Sequence, residues 1–225
     1  MNEKHNEKHI DDDLTHLKDQ VMAMMDLVRL QTEKAHRALL NYDKALAQEI
    51  IHYEARVNAL ELSIDKDGET LLDQHNLKDV QLRFVLAALK INTQLERIGD
   101  HAEMLARTTL ALSTPFPPDL LAAVRLSDIA VLITSMTQHA IQGFNFEDSG
   151  LSRVVMTKAA ELRELNANIM PTVLVYSSEN VLRLEQFIYL VTYLQKLERI
   201  GELLKNIAEE TIFYVDAKIL RHQDK

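Results

Sequence analysis

The chain has 225 residues, of which 47% are hydrophobic and 26% charged, and its formal charge is −9. That acidity excludes nucleic acid as the main partner, because phosphate binding needs a basic face. The absence of cysteine excludes disulfides, cysteine–zinc sites and thiol nucleophiles, so any metal must take carboxylate, amide, imidazole or water ligands.

Five glycines, four prolines and no tryptophan suit long helices better than turn-rich β structure. The polar start Met1-Asn2-Glu3-Lys4-His5 has no apolar h-region, and no apolar run reaches the ~18 residues of a membrane span. The expectation is a cytoplasmic, helical protein with no signal peptide.

Residues 1–10 hold two near-copies of Asn-Glu-Lys-His and read as a solvated terminus. From Asp13 to Leu40, Leu14, Leu17, Val21, Met24, Met25, Val28, Ala35 and Leu39 follow helical spacing. Asn41-Tyr42-Asp43 makes a turn, with Asp43 as N-cap of a second helix from Lys44 towards Leu72. A third helix spans Lys78 to Leu112, with Phe84, Ala88, Ile91, Leu95, Ile98, Ala102 and Leu105 on its seam. Ser113-Thr114-Pro115-Phe116-Pro117-Pro118 blocks further helix and marks the best domain boundary.

Asp119 is expected to cap a fourth helix through Leu120, Val124, Ile129, Leu132, Met136 and Ile141, which Gly143-Phe144-Asn145 breaks. A fifth runs from Glu147 to Tyr176 with a kink at Pro171, and a sixth from Ser177 to Lys218 before a polar tail. The pattern is helix, helix, long helix, twice over. It predicts an all-α fold of two tandem three-helix bundles, residues 1–114 and 119–225.

One stretch supports the duplication directly. Leu95-Glu96-Arg97-Ile98-Gly99-Asp100 returns as Leu197-Glu198-Arg199-Ile200-Gly201-Glu202. Each copy carries two acids four residues apart, one turn above the other on a single helix face. Like charges at that spacing repel by a few tenths of a kcal/mol, a cost that a bound cation removes. Helix two offers a second acidic stripe, Glu54, Asn58, Glu61 and Asp65, which would face the first if the two helices are antiparallel neighbours. The same residues would equally suit two solvated helix faces, where glutamate is simply a good helix former. Arg97 and Arg199 suit ion pairs at an inter-helix seam, and Gly99 and Gly201 suit close helix packing. No phosphate loop or nucleophile elbow is present, which argues against nucleotide binding.

These residues resemble the PhoU family of phosphate-uptake regulators. The likeness rests on the doubled Glu-Arg-Ile-Gly signature, on Asn206-Ile207-Ala208-Glu209 after the second copy, and on the segments Gln20–Met24, Val57–Glu61 and Asp79–Arg83. It implies tandem three-helix bundles, a homodimer, and divalent or trivalent metal ions (Mg, Mn, Fe or Zn) on acidic helix faces. It also implies a non-enzymatic, cytoplasmic negative regulator of phosphate uptake and the phosphate-starvation response. The implied partners are the ATPase of the phosphate ABC transporter and a sensor histidine kinase, with the membrane reached only through them.

Carried over, the metal residues are Asn58, Glu61, Glu96 and Asp100 in the first half and Glu198, Glu202, Asn206 and Glu209 in the second. Glu202 stands where the family mostly has aspartate, and Arg163 stands where it usually has an acid. A cation at Arg163 opposes a second metal by direct repulsion. Two other readings stay open: an accessory protein of another phosphate transporter, and a carboxylate-bridged metalloenzyme.

Overall fold

Apolar residues at helical spacing make eight helices, and no strand, in a computed structural model that describes residues 2–179 and 184–218. The first bundle is α1 (Asn2–Leu40), α2 (Lys44–Gln74) and α3 (Asp79–Ala111). The second is α5 (Leu126–Asn145), α6 (Ser149–Ala167) and α8 (Leu184–Asp216), with short α4 (Pro118–Ala123) and α7 (Ile169–Glu179) at its margin.

Local chemistry sets most of the ends. The Asp43 carboxylate accepts the Leu46 N–H at 2.9 Å and caps α2. Tyr42, left-handed at φ 52°, donates its hydroxyl to the Leu112 carbonyl at 2.9 Å, tying the α1–α2 turn to the end of α3. Asp148 caps α6 through the Gly150 and Leu151 N–H groups.

Several expectations are corrected, among them the Asp119 cap: Asp119 lies in the first turn of α4, whose N-cap is Pro117. The first helix begins at Asn2 rather than Asp13, so helical backbone covers the repeated polar start. The expected fourth helix is two, parted at Arg125, which adopts a left-handed φ of 55°. Val124 and Leu126 are both buried yet two residues apart, so one continuous helix would set them on opposite faces. The left-handed residue between them turns both inward.

Gly143 does not break α5 but lies inside it. A Cβ there would fall 2.5 Å from Ser152 Oγ, so the glycine admits the close approach of α6. Finally, Pro171 does not kink the fifth helix but divides it into α6 and α7 at Asn168, because proline offers no N–H to the Ala167 carbonyl. Ser177 and Ser178 accordingly belong to α7, and the last helix starts at Leu184. The expected tail Leu220–Lys225 lies outside the described residues.

The two long helices α3 and α8 hold the bundles together. Lys90 Nζ meets Glu210 Oε2 at 3.1 Å and Asn206 donates to Gln94 at 3.0 Å, so α3 and α8 run antiparallel. Phe84 stacks on Phe144 and meets Tyr214 edge-on, its ring centroid 5.3 Å away. One hydrophobic core runs through both bundles, from Leu17, Val21, Met24 and Met25 to Leu194, Leu197 and Leu204. Burial of such side chains, at roughly 25 cal/mol per Å² of apolar surface, makes the two repeats one body. Among the described residues, no helix is long and apolar enough to cross a membrane.

Candidate metal centre

Glycine brings the site helices together. The place a Cβ would take on Gly99 of α3 lies 3.1 Å from Val57 Cγ1 of α2 and 3.5 Å from Gln31 Oε1 of α1. With Val57 turned inward against this glycine, Glu54, Asn58 and Glu61 line the α2 side of a groove whose α3 side carries Glu96, Asp100 and Glu103. Asn92 fixes the register at one end: its buried amide donates to the Glu61 carbonyl at 3.0 Å and to Asp65 Oδ1 at 2.8 Å.

The groove concentrates negative charge. Glu54, Asp100 and Glu103 bring ligand oxygens within 4.8 Å of one another, the only such trio among the described residues. Burial pushes the Glu54 carboxyl up to about 7, helped by the charges of Asp100, Glu103 and Glu96, while a hydrogen bond with Asn58 works the other way. Burial also raises Glu96, with Asp100 and Glu61 adding to it, and raises Glu61, with Asp65 and Asp100 adding. Glu54 Oε2 is buried with no hydrogen-bond partner. Glu103 accepts Arg107 Nε at 2.9 Å on the outer rim, and Arg97 partly offsets the rise at Glu96.

This donor set fits a hard cation. It is all oxygen, mostly anionic, partly dehydrated, and leaves one buried carboxylate oxygen that a cation would satisfy. Of the four first-half residues expected from the sequence, Asp100 belongs to the trio with Glu54 and Glu103, while Asn58 hydrogen-bonds Glu54, and Glu61 and Glu96 lie close enough to feel the charge of Asp100. Glu54 was visible on the acidic stripe. Glu103 had a signal too, three residues after Asp100 and seven after Glu96, on the same helix face.

The second set is not gathered in this way. Glu202 is ion-paired with Arg199 of its own helix, so Arg199 does not serve an inter-helix seam. Asn206 turns to Gln94 of α3, and Glu209 pairs with Lys205 at 3.6 Å. Glu198 and Glu202 line a recess of 30 Å³ between α6 and α8, but Arg163 and Lys205 line it with them. Two cations in a space about the size of one water do not fit a bound metal.

The architecture is thus that of a duplicated three-helix unit joined through its third helices, with an acid-lined groove in the first copy. The PhoU domain matches residues 21–109 and again 126–211, and the chain belongs to the PhoU family. A PhoU homologue from a Burkholderia species, a phosphate-specific transport system accessory protein, is 29% identical over 99% of this chain and 95% of its own length. The accessory protein PhoU of Edwardsiella tarda is 26% identical over 97% of this chain and 89% of its own. The crystal structure of PhoU from Pseudomonas aeruginosa superposes with a TM-score of 0.84 at 25% identity, covering 92% of this chain and 99% of that one.

Proposed function

We propose that the chain is an accessory regulator of a phosphate-specific transport system, restraining phosphate uptake and the phosphate-starvation response when phosphate is plentiful. The observation that carries this reading is the pair of PhoU domains, joined to near full-length similarity with transport-system accessory proteins. The chain acts by binding, in the cytoplasm, and not by turnover. Its partners are the ATPase subunit of the phosphate ABC transporter and a sensor histidine kinase, and it works as a homodimer. With a formal charge of −9 it gains nothing from an anionic lipid surface and reaches the membrane through those partners.

The groove between α2 and α3 holds a hard cation such as Mg²⁺, Mn²⁺ or iron, with Glu54, Asn58, Glu61, Glu96, Asp100 and Glu103 as the residues at hand. The ion neutralises the facing acids, locking two helices of the first bundle into one surface for a partner.

The test is deletion of the gene, with any paralogue, in the source organism grown in plentiful phosphate. Constitutive phosphatase and overfilled phosphate stores, reversed by the wild-type gene, are expected. An unchanged phosphate response sinks the reading. Complementation with Glu54→Gln/Asp100→Asn then asks whether the cation is needed.

A further inference from the structure

The two repeats can be aligned through their glycines. Gly99 is flanked by Val57 of α2 and Gln31 of α1, and Gly201 by Leu162 of α6 and Met136 of α5. On that alignment Glu198 and Glu202 stand where Glu96 and Asp100 stand, and the motif acids are kept. The other four positions of the groove are not. Ala159 stands where Glu54 stands, Arg163 where Asn58 stands, Asn166 where Glu61 stands, and Lys205 where Glu103 stands. The last exchange is a reversal of a pair. In α3 the acid Glu103 faces the groove and binds Arg107 one turn on, and in α8 the base Lys205 faces it and binds Glu209 one turn on. The ordered exchange of both partners keeps the ion pair and inverts the charge presented to the groove.

We infer that the second groove carries its cation in the chain: Arg163 and Lys205 line the recess with Glu198 and Glu202 and, beside the Arg199 that pairs with Glu202, put fixed positive charge where the first groove would hold an ion. The repeat unit has diverged into one metal-dependent and one metal-independent half. Arg163 and Lys205 come from α6 and α8, the two walls of the recess, and Gly201 admits α6 closely enough that the recess measures only 30 Å³. An ammonium or guanidinium tethered there needs no loss of translational freedom and cannot be removed by a chelator. This inference rests on the reading of the α2/α3 groove as a cation site, and it predicts that the chain binds metal in its first half alone.

The full chain, stripped with chelator and titrated with Mn²⁺, is followed by calorimetry and by metal content after dialysis. Glu54→Gln/Asp100→Asn should remove bound Mn²⁺, whereas Glu198→Gln/Glu202→Gln should leave the stoichiometry as in wild type. Ala159→Glu/Arg163→Asn/Lys205→Glu should gain Mn²⁺ at the second groove, doubling the content, with a helical circular dichroism spectrum to check its fold. Loss of wild-type Mn²⁺ in Glu198→Gln/Glu202→Gln would overturn the inference, as would a folded triple variant that gains none. A wild-type chain that binds no Mn²⁺ would instead count against the cation reading of the first groove. In that case the triple variant still decides, since a gain there upholds the role of Arg163 and Lys205 and no gain refutes it.

Discussion

Gln31 and Met136 occupy the same place in the two repeats, each flanking the glycine of the third helix from the first helix of its bundle. Met136 fills that place with apolar atoms. Gln31 is fully buried there, and neither its amide nitrogen nor its oxygen has a hydrogen-bond partner. Burying such atoms unpaired costs about 1–3 kcal/mol, and an apolar side chain of similar shape avoids it. Gln31→Met should therefore raise stability by about 1–2 kcal/mol, read as a higher urea midpoint with an unchanged slope. A lower midpoint would show that the amide makes a bond that methionine cannot.

The acid groove makes stability depend on pH in a direction opposite to that of most carboxylates. Glu54 is raised from 4.5 to about 7, so the folded chain holds this proton more tightly than the unfolded chain does. Its contribution is complete below pH 4.5 and is lost as pH rises through 7. Glu54 is half-buried and partly screened by solvent, so the loss is on the order of 1 kcal/mol. His36 works at the acid end in the other sense: burial lowers it, and its contribution is lost as pH falls. Comparing wild type with Glu54→Gln isolates the glutamate. In chelator, urea unfolding at pH 5 and pH 7.5 should show wild type losing ground relative to Glu54→Gln. Added Mn²⁺ at pH 7.5 should restore wild type and leave the variant nearly unchanged.

Much of this was legible beforehand, for identifiable reasons. The doubled Leu-Glu-Arg-Ile-Gly stretch and the cluster of prolines after Ser113 are local signals, and they place the two bundles and the linker between them. Helix spacing alone set Glu96 and Asp100 on one face, while the place of Asn58 and Glu61 opposite rested on α2 and α3 being antiparallel neighbours and on the family resemblance. What escaped depended on tertiary contact. The left-handed Arg125 exists because Val124 and Leu126 must both reach the core, and Gly143 stays helical because Ser152 presses on it. The exchange of Glu103 for Lys205 follows the same spacing as the doubled motif, but only the structure turns both side chains towards their grooves. Arg163 was the exception, since the family resemblance already marked it as a cation where an acid is usual.

Asn92 is the side chain that sets α3 against α2 beside the groove. Its amide nitrogen bridges the Glu61 carbonyl and the Asp65 carboxylate from a fully buried position. Asn92→Leu keeps the volume and removes both bonds, leaving Asp65 without this partner. A cost of about 1–3 kcal/mol is expected in urea unfolding. The groove acids then lose their fixed register, so Mn²⁺ affinity should fall roughly tenfold, in line with loss of an outer-shell hydrogen bond. A variant that is destabilised but binds Mn²⁺ as wild type would confine Asn92 to a packing role.

The two motif glycines should respond unequally to alanine, because their neighbours differ. On Gly99 a Cβ would lie 3.1 Å from Val57 Cγ1, a contact relieved by a shift of a few tenths of an ångström. The gain in helix propensity, about 1 kcal/mol, offsets that strain, and Gly99→Ala should be close to neutral. On Gly201 a Cβ would overlap Leu162 Cδ2, and Leu162 is itself buried among α5, α6 and α8. Gly201→Ala should cost about 1–3 kcal/mol through overpacking. If that overlap is the cause, shortening the partner must relieve it: Leu162→Val alone should cost about 1 kcal/mol, and Gly201→Ala/Leu162→Val less than the sum. A double-mutant cycle in urea should return a coupling of at least ~1 kcal/mol. Additive costs would mean that the backbone, not Leu162, is what Gly201 accommodates.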